Sequence, residues 1–153
     1  ELSQRYADVL KSNNGSLIEL HEARLQSDNN RQSSTISIAE LKCFEGVYYF
    51  KHKEGITEEQ FEALQHTALV YNHSEQAYRK QLLAGISRET ARFVLPIATK
   101  TKLNMNGSCR SWIHFLQVRD DEHAQKEIQL IAKEIKEIFK TEFPIISKAL
   151  GWT

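Results

Sequence analysis

Three arginines stand where the neighbouring residues make a cation hard to accommodate. Arg92 lies between Ala91 and Phe93-Val94-Leu95, Arg119 falls where one helical pattern ends and another begins, and Arg5 follows Ser3 in Ser3-Gln4-Arg5. A guanidinium in apolar surroundings needs a carboxylate, phosphate or carbonyl partner, and its planar fork suits bidentate anion contacts. In an extended segment Ser3 and Arg5 point the same way, offering a hydroxyl and a guanidinium to one phosphate. Arg119 can meet the closing carbonyls of the first helix, or an anion near the opening N–H groups of the second. Taken singly, each arginine has a simpler use in an internal ion pair or cap, because Glu89, Asp120, Asp121 and Glu122 lie close in sequence.

The remaining reactive side chains are less pointed. His114 beside Trp112 and Phe115 reads as a packing histidine, and His123 after two acids as a solvated helix residue. Ser3 has no recognisable acid–base partner nearby in sequence, so nothing local argues for an activated nucleophile. Tyr48-Tyr49 reads as core or interface. The chain contains no Gly-x-Gly-x-x-Gly, P-loop, His-Glu-x-x-His or Cys-x-x-Cys, so neither a standard dinucleotide fold nor a zinc site is indicated. The residues alone lead to an anion-binding domain of mixed α and β structure.

A chain of 153 residues, 41% hydrophobic, can bury one core and is expected to form a single domain over 1–153. Its 20 basic and 20 acidic residues cancel, so no overall field favours nucleic acid or an anionic membrane, and an anion site must be built locally. No apolar run approaches a membrane span and no signal peptide is visible. Cys43 and Cys109 have no metal-type spacing and fit free thiols in a reducing cytoplasm.

The elements that must position these groups follow from periodicity. Residues 1–25 mix strand-like and short apolar stretches broken at Asn13-Asn14-Gly15-Ser16, and residues 26–36 are polar enough for an exposed loop. Ile38–Phe44 suits a short helix or an edge strand. Thr57-Glu58-Glu59-Gln60 is a capping box opening a long helix, with Phe61, Leu64, Ala68, Tyr71, Tyr78 and Leu82 on its apolar face, a bend near Asn72-His73-Ser74, and Gly85 as its stop. Residues 99–106 alternate as a polar strand would. Ser108 or Ser111 caps a helix running to Arg119, and Asp120 or Asp121 caps the last long helix. That helix carries a stripe of Ile128, Ile131, Ala132, Ile135, Ile138 and Phe139, and Pro144 ends it. The fold class is α+β, weighted toward helix.

Four ordered segments resemble the flavin-dependent thymidylate synthases. In that family's signature an Arg-His-Arg triplet is followed by seven residues and then a Ser, and its end reads Glu-x-Ser-x-Arg-Tyr; this chain opens on Glu1-Leu2-Ser3-Gln4-Arg5-Tyr6. Ala91-Arg92-Phe93-Val94-Leu95-Pro96 is similar to the family's Ala-Arg-x-x-Leu-Pro, and Asn106–Leu116 to its strand-to-helix turn. Arg119 with Ala124-Gln125-x-Glu127-Ile128 resembles its closing Arg and Ala-Gln-x-Glu-Ile helix. The resemblance implies a thymidylate synthase-complementing-protein-like fold, incomplete at its N-terminus, and methylation of dUMP to dTMP. Methylenetetrahydrofolate would be carbon donor, FAD hydride carrier and NADPH reductant, in a homotetramer with shared sites and no nucleic-acid or membrane partner. Carried over by position, Glu1, Leu2, Ser3, Gln4 and Arg5 would grip dUMP, with Arg92 a second nucleotide contact. Arg119 would lie against the uracil as the catalytic residue, and Glu1, Ser108, Cys109, Arg110 and His114 would meet FAD. Ser108 and His114 stand where some members carry Asn. The triplet itself is absent, which implies little turnover by this chain alone and leaves a non-catalytic nucleotide-binding or assembly module as the alternative.

Overall fold

The structure, a computed structural model, describes residues 17–28, 34–101 and 103–152. These divide into two compact units, one of the described residues up to Arg24 together with Ile36–Asn104, the other of the remainder. The architecture is mixed α and β. A three-stranded sheet, ordered β1 (Glu22–Gln26), β2 (Ser34–Phe44), β3 (Val47–His52), precedes a series of helices.

The segment that suited either helix or strand is the C-terminal part of β2, the central strand. Its Ala39 and Leu41 alternate inward with Tyr48 and Phe50 of β3, in the antiparallel register Leu41↔Phe50 and Cys43↔Tyr48. The connection is two residues long: Glu45 (φ 49) and Gly46 (φ 79) both take the left-handed conformation that matches the twist of a tight hairpin. The polar stretch 26–36 is less a loop than expected, because β1 ends at Gln26 and β2 begins at Ser34.

Helix α1 (Glu58–Leu83) begins as the capping box requires. Gln60 N donates to Thr57 Oγ1 at 3.2 Å and Thr57 N donates to Gln60 Oε1 at 3.1 Å. It ends before Gly85, whose φ of +76 admits the left-handed turn. Ala68, Tyr71 and Tyr78 of the expected stripe are buried against the sheet and Leu17, Ile18 and Ala91. α1 runs without interruption through Asn72-His73-Ser74. The Asn72 side chain faces the sheet, accepting from Tyr48 N at 2.8 Å and donating to Tyr48 O at 2.9 Å, so it acts as the neighbour an edge strand lacks.

On the sheet, Lys53 bonds Glu22 at 3.1 Å and Glu40 at 3.0 Å, Lys42 bonds Glu40 at 2.6 Å, and Arg24 bonds Glu22 at 3.2 Å. Lys42, and then Lys53, hold the Glu40 carboxyl well below its ordinary 4.5, at about 2. A depressed carboxylate stabilises the fold above its unfolded value and loses that contribution as pH falls through the folded one. Urea midpoints are therefore expected to fall between pH 4.5 and about 2, and to fall less in Glu40→Gln. Equal slopes in the two proteins would remove the ladder from acid stability.

After α1, Ser87 caps the short α2 (Arg88–Ala91), which tightens into a 3-10 turn at Arg92–Val94 before Leu95 and Pro96. The polar strand expected at 99–106 is reduced to a single bridge, Thr99 to Ile18, flanked by Lys100 N to Leu17 O and Glu19 N to Ala98 O at 2.9 Å each. The described residues beyond it take no regular structure until Cys109.

In the second unit, α3 (Cys109–Arg119), α4 (Lys126–Glu142) and α5 (Pro144–Ala149) bury Leu116, Ala132 and Phe139. Neither Asp120 nor Asp121 caps α4; its N-cap is Gln125, without a side-chain bond. Asp120 closes α3, and Asp121 accepts from His123 N at 2.8 Å in the intervening turn, which also takes His123 out of any helix. Buried Gln129 donates to the turn carbonyls of Asp121 and Ala124 at 2.7 and 2.8 Å. Pro144 both follows the end of α4 and opens α5. Of the α4 stripe, Ala132 and Phe139 are buried while Ile131 and Ile138 are exposed. No described helix is long and apolar enough to cross a membrane.

Candidate functional site

The sequence places Arg92 within an apolar run, yet the turn around it leaves it half-buried. A 3-10 turn throws successive residues to different sides, so Ala91 is buried, Val94 and Leu95 are half-buried, and Phe93 is 76% exposed. Among the described residues, the water-excluding surroundings expected of Arg92 are thus absent. Its guanidinium lies over the Phe93 ring, 5.6 Å from the centroid.

Of the two candidate caps, Ser108 is the one used: its Oγ accepts from Ser111 N at 3.2 Å and shares a hydrogen with Ser111 Oγ at 3.0 Å. The amides of Cys109 and Arg110 open α3 without intrahelical acceptors, and its first turn carries no acid. A Cβ at Gly107 would stand 3.4 Å from Ser111 Cβ, an ordinary van der Waals contact. The Cys109 side chain is half-buried and packs against the Leu116–Ala132–Phe139 cluster. Arg110 and His114 are exposed and one turn apart, and therefore share a face. His114 is not the packing residue its neighbours suggested.

Arg119 is exposed at the other end of α3. Nine residues of helix put it on the opposite side from Arg110 and about 13 Å further along. Its neighbour Asp120 accepts from Lys136 Nζ at 2.6 Å, which ties this helix end to α4, and Lys136 in turn lies over the Trp152 ring at 5.1 Å. Gln129 braces the turn that follows. None of the described residues forms an ion pair with Arg92, Arg110 or Arg119, so the internal pairing available in sequence is not used.

The structure thus gathers Ser108, Cys109 and Arg110 at one helix start, with His114 beside them, and sets Arg119 apart. Arg92 belongs to the other unit. Glu1, Leu2, Ser3, Gln4 and Arg5 lie outside the described residues. Among the described residues no cluster of three His, Cys, Asp or Glu could hold a metal ion. Sequence reasoning missed the supporting groups Asn72, Glu75 and Gln129; an isolated polar residue at the spacing of an apolar stripe was the available signal.

Comparison with known proteins places these motifs in one family. The model of the thymidylate synthase complementing protein family matches residues 1–145. A probable flavin-dependent thymidylate synthase of Paramecium bursaria Chlorella virus 1 is 36% identical over 152 residues, covering 99% of this chain and 60% of that protein. The flavin-dependent thymidylate synthase of Synechocystis is 39% identical over 134 residues, covering 88% of this chain and 54% of its own length. The chain thus spans between half and two thirds of these relatives. A match over nearly its whole length shows that the chain belongs to the thymidylate synthase complementing protein family.

Proposed function

We propose that this chain serves the flavin-dependent methylation of dUMP to dTMP, the activity for which its relatives are named. The observation that carries the reading is the family match over 1–145, which includes all three arginine segments at their expected order. In support of it, those arginines that the structure describes are left without carboxylate partners. An unpaired guanidinium held on a helix end or turn is poised for an external anion.

The donors at the start of α3 fit a flavin nucleotide. Two open amides, the Ser108 hydroxyl, the Arg110 guanidinium and the His114 ring form a set suited to phosphate and polar ring edges, with no acid in the first turn to oppose them. FAD bound there would supply hydride transfer, with NADPH as reductant and methylenetetrahydrofolate as carbon donor. Glu1 would add to that contact, and Glu1 to Arg5 with Arg92 would bind dUMP. Arg119 would lie against the uracil. A fixed cation stabilises the negative charge that develops when the ring loses a proton, and so makes the ring carbon nucleophilic. The opposite placement of Arg110 and Arg119 on α3 suits two separate ligand groups. Residues 1–153 would act as one domain, in a cytoplasmic homotetramer with sites shared between subunits.

The test is titration of the chain with dUMP in the presence of FAD, reading the melting temperature and the flavin retained after desalting. Binding to the folded state alone stabilises by about 2.7 kcal/mol at a hundred times Kd. A rise in melting temperature with retained flavin is expected; no shift with either ligand overturns the reading.

A further inference from the structure

Phe93 is 76% exposed, a placement that costs a large apolar ring its burial, and its ring is the partner of the Arg92 guanidinium. The contact lies within the roughly 6 Å at which an arginine and an aromatic face attract one another. The two residues are adjacent on a 3-10 turn, closed by Leu95 N donating to Arg92 O at 3.0 Å, which keeps the roots of the two side chains together. No described residue offers the guanidinium a carboxylate, and its hydrogen-bonding edge is left available.

We infer that Phe93 is a positioning residue for Arg92. Its ring holds the guanidinium plane by cation–π contact in one orientation, with the N–H edge presented to an anionic nucleotide. A flexible arginine loses side-chain freedom when it binds a ligand, and a ring that already restrains it reduces that loss. Carboxylates would do the same restraining at the cost of competing for the anion; a phenyl ring leaves the charge uncompensated. This inference rests on the assignment of Arg92 as a dUMP contact.

The experiment compares dUMP dissociation constants, by calorimetry with FAD present, for the unsubstituted chain and for Phe93→Leu, Phe93→Trp, Arg92→Ala and Arg92→Ala/Phe93→Leu. Phe93→Leu keeps an apolar side chain but removes the π face, and a loss of roughly 3- to 30-fold in affinity is expected. Phe93→Trp, which restores the face, is expected to bind as the unsubstituted chain does. In the Arg92→Ala background the leucine substitution is expected to add nothing, because the two residues act as one unit. Unchanged affinity in Phe93→Leu overturns the inference, as does a leucine effect that persists in full without Arg92. If Arg92→Ala leaves dUMP affinity intact, the assignment of Arg92 fails and this inference with it; a loss in Arg92→Ala alone sinks only the role of Phe93.

Discussion

Replacing Tyr48 with phenylalanine is expected to cost about 4 kcal/mol of folding stability, although it removes a single oxygen atom. That hydroxyl donates to Glu75 Oε2 at 2.6 Å and accepts from the main-chain amides of Leu17 and Ile18 at 3.1 and 3.2 Å. All of these groups are buried, with Tyr48 2% and Glu75 6% exposed, so water replaces none of the lost bonds. Each amide that loses this acceptor costs about 1–3 kcal/mol, and the Glu75 carboxylate loses a donor while keeping its i,i+4 partner Arg79, whose Nε lies at 2.9 Å. A chain of this size should melt roughly 8–16 °C lower. Tyr49→Phe, on the exposed face of the same strand, is the control and should change stability by less than about 0.5 kcal/mol. A Tyr48→Phe protein within 1 kcal/mol of the original, by urea unfolding, would remove this network from the account.

The functional consequence of that network is local. Leu17, Ile18 and Glu19 pair with Lys100, Thr99 and Ala98, so one hydroxyl helps to hold Leu17 and Ile18 beside the segment that follows Arg92.

This arrangement also marks the limit of what the sequence discloses. The helices were legible because their signals are local: the Thr57–Gln60 capping box, the Gly85 stop and the Ser108 cap each act within a few residues. The sheet was less so. Ile38–Phe44 carries apolar and charged residues that serve either period, and only its pairing on both edges makes it a central strand. Asp120 and Asp121 resemble helix caps by type and spacing, but a hydrogen bond to His123 N and an ion pair with Lys136 draw them into the turn. Glu75 sits at core spacing in α1 with nothing nearby in sequence to announce Tyr48. At the candidate site, residue types and order carried the family resemblance. Their surroundings did not follow: Arg92, read as enclosed, is half-buried on a 3-10 turn, and His114, read as packed, lies on the exposed face of α3.

Measured in the complete enzyme, Arg119→Ala is expected to lower dTMP formation by about 10²–10³-fold, the loss typical when a group that stabilises developing negative charge is removed. The structural alternative predicts something different. Arg119 lies in the last turn of α3, where a cation also favours the exposed carbonyl ends, but at an exposed position this is worth only about 0.3–1 kcal/mol of stability. A large loss of turnover with a nearly unchanged melting temperature therefore separates the two roles. The pH profile supplies a second reading. A cation against the uracil favours its ionised form, so its removal leaves the ring protonated to higher pH. The acid limb of the rate profile should move upward by about 1–3 pH units. Arg119→Lys keeps the charge and the helix-end contact but loses the planar fork, and should recover the pH profile more fully than the rate. Turnover unimpaired in Arg119→Ala would sink the catalytic assignment. A rate loss matched by an equal loss of folded protein would return Arg119 to the role of a helix cap.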